Sequence, residues 1–136
     1  MRKTGPMLVA LAVVLLGGAG AANAFVSANT IDRHATYKHD GAQVRATGPI
    51  GCTRGERMSI SVTVTQSATR ARARKTWRGR CTGELKHWQV RARARKGTRF
   101  EQGSGRVCAV AKTRNASRVT DTRKWCEPVQ LSGGFR

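Results

Sequence analysis

The sequence predicts an all-β fold, an antiparallel β-sandwich of about six to seven strands arranged as in immunoglobulin or fibronectin domains. Three observations carry that expectation. Several segments alternate apolar and polar residues with a period of two. Turn residues recur every dozen positions or so, as short strands require. Beyond residue 24 no segment shows a helical period. A small barrel is the alternative way to close the same strands.

The clearest strand covers Met58 to Gln66, where Met58, Ile60, Val62 and Val64 alternate with Ser59, Ser61, Thr63 and Thr65. Its β-branched residues favour extended backbone. An earlier strand spans Gln43 to Thr47 and is followed by the turn signal Gly48-Pro49. From Ala68 to Arg80 small residues alternate with arginine. Ala71, Ala73, Trp77 and Gly79 share one parity, and Arg70, Arg72, Arg74, Arg78 and Arg80 the other. Trp88 to Arg95 repeats the theme, with Trp88, Val90, Ala92 and Ala94 set against Gln89, Arg91, Arg93 and Arg95. Lys96-Gly97 ends that strand. Arg106 to Thr113 and Val119 to Leu131 supply the last two, joined near Asn115-Ala116.

These patterns also predict a register. A hairpin turning at Gln66-Ser67 sets Val62 opposite Ala71 and Ile60 opposite Ala73, and extends to place Cys52 opposite Cys81. A slip of one residue would break both matches together. In the last hairpin, a turn centred on Ser117 sets Cys108 opposite Cys126. The chain has four cysteines and no C-x-x-C pair. In a short exported chain an even count reads as two disulfides, for which the registers favour Cys52–Cys81 and Cys108–Cys126. Four cysteines still allow three pairings.

Export is read from the first residues. Arg2 and Lys3 precede the apolar run Met7 to Leu16, and Ala22-Asn23-Ala24 has the small-x-small form that signal peptidase cleaves. The apolar run is shorter than the ~20 residues of a membrane-spanning helix, so an integral membrane anchor is not expected. The predicted organisation is a signal peptide over 1–24, a flexible lead-in over 25–41 and a single domain over 42–136. The expected product is a secreted monomer beginning at Phe25.

The segments Gly48-Pro49, Cys52-x-x-Gly55-Glu56, Val62-Thr63-Val64-Thr65-Gln66, Cys81-Thr82-Gly83, Trp88 and Trp125-Cys126 together resemble small secreted proteins of high-GC actinobacteria. The resemblance spans most of the predicted mature chain. It implies an extracellular location and an all-β domain.

Charge is the main functional signal. The chain carries 26 Lys and Arg against seven Asp and Glu, a net charge of +19. Removing the signal peptide takes away only Arg2 and Lys3. Such a positive field favours anionic partners. From Arg70 to Arg99 there are twelve Lys and Arg and one acid, Glu84. Rows of like charge on adjacent strands are unfavourable unless solvent or an anion screens them. Arginine's planar fork suits phosphate and carboxylate groups. The expected anion-binding residues are therefore Arg70, Arg72, Arg74, Arg91, Arg93 and Arg95. The expected partners are polyanions: cell-wall polymer, acidic polysaccharide or nucleic acid bound without sequence preference. A merely solvated, edge-blunting arginine face is the competing reading.

Catalysis finds no support. The acids Asp32, Asp40, Glu56, Glu84, Glu101, Asp121 and Glu127 are scattered, and His34, His39 and His87 have no partners at metal-ligand spacing. No nucleophile elbow, zincin or P-loop pattern occurs. The reading is a non-enzymatic domain without metal or cofactor. Its alternative is a protein-binding module, of inhibitor or toxin type, using the loops Gly83–His87 and Gly97–Gly105.

Overall fold

The computed structural model describes residues 26–27 and 30–134. The expected signal peptide and its cleavage site lie outside the described residues. Eight strands follow in chain order: β1 (Val26–Ser27), β2 (His34–Lys38), β3 (Gln43–Cys52), β4 (Arg57–Gln66), β5 (Ala71–Arg80), β6 (Lys86–Arg93), β7 (Gly103–Asn115) and β8 (Arg118–Gly133). No helix among the described residues is long and apolar enough to cross a membrane.

The all-β expectation holds, but the expected two-layered, immunoglobulin-like or fibronectin-like sandwich is not shown. The strands form one mixed sheet, nearly closed into a barrel. Its path runs β5-β4-β7-β8-β2-β3-β6. All of these pairings are antiparallel except β2 with β8, which is parallel. The ends of the path then meet at a single bridge, Ala73 to Ala94. β3, β4, β6 and the middle of β7 alternate buried and outward residues, so one face of the curled sheet collects the apolar side chains. Val44, Ile60, Val62, Val64, Trp88, Val107 and Leu131 are all buried there. Each contributes about 1.5–3 kcal/mol by leaving water. The outer face carries arginine, serine and threonine, the reverse of a barrel immersed in lipid.

Strand β3 runs straight through Gly48-Pro49, so the turn expected there is absent. Two features permit this. Gly48 pairs with Trp88 across β3 and β6, and a Cβ on Gly48 would lie 2.6 Å from the buried indole. Glycine is the residue that leaves room. Pro49 lacks a donor, but its nitrogen points to the side on which the Thr47 carbonyl accepts from the Asp32 amide. On that side β2 pairs with residues 43–45 and β1 with residues 51–52. Proline falls in the interval between them and costs no ladder bond.

The segment expected as a lead-in contains two strands among its described residues. Ala35 and Ile31 are buried, and β2 joins β3 to β8. Its chain pattern is short and mixed because it pairs over only a few residues. The β4–β5 hairpin turns through residues 67–70, later than expected. Gln66 faces Ala71, Val64 faces Ala73 and Val62 faces Lys75. The shift from the expected register is four residues, an even number, so the apolar and arginine faces stay as read. The β7–β8 hairpin sets Cys108 opposite Cys126 as expected, with an irregularity after Thr113 and a turn at Ala116 and Ser117.

Both expected disulfides are present, Cys52–Cys81 and Cys108–Cys126. They are compatible with an extracellular protein. The first is not a rung of the β4–β5 hairpin. Cys52 ends β3 and Cys81 follows β5, so the bond ties two strands that are not neighbours. Around it the Cys81 amide donates to the Glu56 carbonyl at 2.8 Å and the Gly55 amide to the Cys81 carbonyl at 3.0 Å.

Candidate anion-binding face

Strands β5 and β6 carry the arginine rows, and their placement in the barrel decides whether those rows meet. The Ala73–Ala94 bridge is antiparallel. It therefore brings Arg72 beside Arg95 and Arg74 beside Arg93, with the Arg95 amide donating to the Arg72 carbonyl at 2.7 Å. Arg70 ends the turn, and its carbonyl accepts from the Arg95 guanidinium at 3.4 Å. Arg91 lies one outward position beyond Arg93 and pairs across β3 with Arg45. All six expected residues thus lie on one outer surface spanning the seam of the barrel, and all are exposed. Among the described residues, Arg70, Arg72, Arg74, Arg93 and Arg95 form no ion pair with an acid.

Arg70 has φ near 57°. A left-handed conformation is costly for a bulky side chain, and glycine or asparagine normally fills it. Here the position is filled by an arginine.

Beyond Ala73 the two strands part. Lys75 lies on the apolar parity of β5 yet is exposed, because no strand among the described residues covers that edge. A charged residue on the inward parity is one way in which an open edge is protected from pairing with another chain. Trp77 is half-buried against the core at the same opening.

Further cations extend the face that sequence reasoning picked out. Arg106 pairs with Thr65, which pairs with Arg72, so one row crosses β7, β4 and β5. At the other end of the same strands Arg57 pairs with both Arg80 and Arg114. Three arginines of three adjacent strands therefore share one rung. Arg57 and Arg114 lie outside the arginine-rich segments, and only the ladder brings them to Arg80.

The expected loops behave differently. The Gly97–Gly105 loop is held down by Phe100, which is buried and donates its amide to Gly41. Gln66 holds it from beneath. Its amide nitrogen donates to the Glu101 carbonyl at 2.8 Å, and its oxygen accepts from the Glu101 amide at 2.9 Å and from the Thr69 hydroxyl. In the connection before β6, Leu85 is an exposed large hydrophobic residue.

His34, His39 and His87 are exposed and lie on different elements. Among the described residues no three His, Cys, Asp or Glu lie close enough to hold a metal ion. The buried Glu56 accepts from Thr120, which in turn bonds Thr113. Asp121 accepts from the Val26 amide at 3.0 Å and from Arg123. Burial pushes the Asp121 carboxyl upward, but the Val26 and Thr122 amides and the Arg123 charge outweigh this and hold it below the usual carboxylate value. Both acids serve as structural ties. No protein-family model and no curated protein matches this chain.

Proposed function

We propose that this chain is an exported, non-enzymatic domain that binds an anionic extracellular polymer through the arginines of β5 and β6. One observation carries the reading. The seam brings Arg72 beside Arg95 and Arg74 beside Arg93, concentrating cations that have no acidic partner among the described residues. Outward residues along a strand repeat every ~6.6 Å. That is close to the spacing of phosphodiester groups along an extended polymer, so successive arginines can meet successive phosphates. The contacts are to backbone charge, and binding is sequence-independent.

The test measures affinity for a polyphosphate or sulfated polymer as salt is raised. With four to six charges neutralised, affinity falls by about two decades between about 50 and about 200 mM salt. Replacing Arg72 and Arg93 with serine weakens binding and flattens that dependence. Replacing Arg33 and Arg136, both outside the two arginine-rich segments of the sequence, removes the same charge and leaves binding nearly unchanged. Equal losses in the two double variants would reduce the effect to net charge.

A second reading, the protein-binding module, has the exposed Leu85 in its favour. Capture of one protein partner that survives high salt and is lost in Leu85→Ser would favour it.

A further inference from the structure

We propose that the rung Arg57–Arg80–Arg114, with Arg78 and Ser59, forms a second and discrete site for a compact, multiply charged phosphate group such as a diphosphate or a terminal phosphomonoester. It lies at the opposite end of the β4–β5 pair from the seam and does not depend on the polymer-binding reading.

Three observations meet here. First, the register places the Cα positions of Arg57, Arg80 and Arg114 directly across adjacent ladders. Neighbouring strands are ~4.8 Å apart, and like charges so close destabilise the sheet unless something screens them. Second, the four guanidiniums have no acceptor in the protein among the described residues. The ion pair among the described residues, Arg123 with Asp121, lies on β8. Third, Arg57, Arg78, Arg80 and Arg114 surround a shallow hollow of about 500 Å³, whose remaining lining is Met58, Ser59 and Gly79. No acid lines it. The adjoining hollow on the other side of Arg57 and Arg80 contains Glu56 and Glu84. It is therefore the less favourable place for an anion.

The residue types suit a compact phosphate better than a single charge. Each guanidinium offers paired donors in a plane, and several forks can share the oxygens of one phosphate. Ser59 pairs with Arg78 across β4 and β5 and contributes a hydroxyl donor beside them. A group with two or more negative charges offsets the repulsion of the whole rung at once. A monovalent anion does so only in part. All four side chains project from strands, which fix their spacing better than a loop would.

The experiment titrates inorganic pyrophosphate into the folded, disulfide-intact domain by calorimetry at about 100 mM salt. The unmodified domain is expected to bind one pyrophosphate, and chloride at the same ionic strength should not displace it. Replacing Arg80 and Arg114 with glutamine is expected to weaken binding about tenfold or more. Arg80→Lys keeps the charge but loses the fork, and should give an intermediate loss. Arg72→Ser with Arg93→Ser should leave pyrophosphate affinity unchanged while weakening polymer binding. Chemical unfolding of each variant confirms the fold. No saturable binding by the unmodified domain would overturn the proposal. So would an equal loss in the two double variants, or full retention in Arg80→Gln with Arg114→Gln.

Discussion

Ala73 and Ala94 face one another across the bridge that draws β5 against the chain just beyond β6. Both are small because the strands converge there, with Ala73 buried and Ala94 packed against the core. The bridge acts on their neighbours. Since side chains alternate, each outward residue beside these alanines is an arginine, and two basic rows become one surface. The nearly closed barrel thus brings its two ends together where basic rows meet. Folding tolerates this because those side chains face solvent, where water and salt screen them.

The conformation of Arg70 separates a structural role from a binding role. Replacing it with glycine relieves the left-handed strain and is expected to stabilise the domain, by up to about 1 kcal/mol after glycine's own entropy cost. The same change removes a cation from the face and should lower polymer affinity. Urea melts and binding isotherms should therefore move in opposite directions. Loss of stability would show that the side chain, and not the ligand, accounts for the arginine.

Gly48→Ala is expected to be among the most damaging small substitutions. Its new methyl would lie 2.6 Å from the Trp88 ring and 2.9 Å from the Thr30 carbonyl. Such overpacking costs about 1–3 kcal/mol. Near-ultraviolet circular dichroism should show a disturbed tryptophan environment. An unchanged melting temperature would remove the packing explanation of this glycine.

Gln66→Leu keeps the volume but strands the Glu101 amide and carbonyl that the glutamine now satisfies. The expected destabilisation is about 1–3 kcal/mol. Hydrogen exchange at the Glu101 amide should rise more than exchange in the centre of β4, since the loop loses its tie before the sheet does.

The two disulfides should differ in weight. Cys52–Cys81 closes 29 residues and joins strands that share no ladder. Cys108–Cys126 closes 18 residues inside a long hairpin already held by backbone bonds. Chain entropy assigns about 3–4 kcal/mol to each. Replacing each pair with serine should therefore destabilise the domain, and the Cys52/Cys81 variant should lose more. A larger loss for the other pair would contradict the idea that its ladder shares the work.

Asp121 makes one part of stability depend on acid. Its folded value is lowered, so the carboxylate's contribution is complete above the unfolded value of about 4 and is lost as pH falls through the folded one. Asp121→Asn should therefore be less stable than the unmodified domain at about pH 6, and the gap should narrow at about pH 2.5. A gap that stays constant over that range would show that the carboxylate's charge does not matter.

Some of this protein was determined by the sequence alone. Alternation from Met58 to Gln66 and from Trp88 to Arg95 is local, and period two permits only one assignment of faces. The core residues, the arginine faces and the all-β class were legible from it. The Cys108–Cys126 pairing was too, because a hairpin register is set within its own two strands. Cys52–Cys81 was found from a register that the structure shifts by four residues, and the bond itself joins β3 to the end of β5.

Curling into a barrel, the parallel pairing of β2 with β8, and the strand passing through Gly48-Pro49 were decided by tertiary structure. Each depends on what lies beside a strand, and alternation says only which way its side chains point. The same holds for the Arg57–Arg80–Arg114 rung. Its members are far apart in sequence, and the ladder alone makes them neighbours, because cross-strand hydrogen bonds fix position along the chain at a distance where sequence period carries no signal.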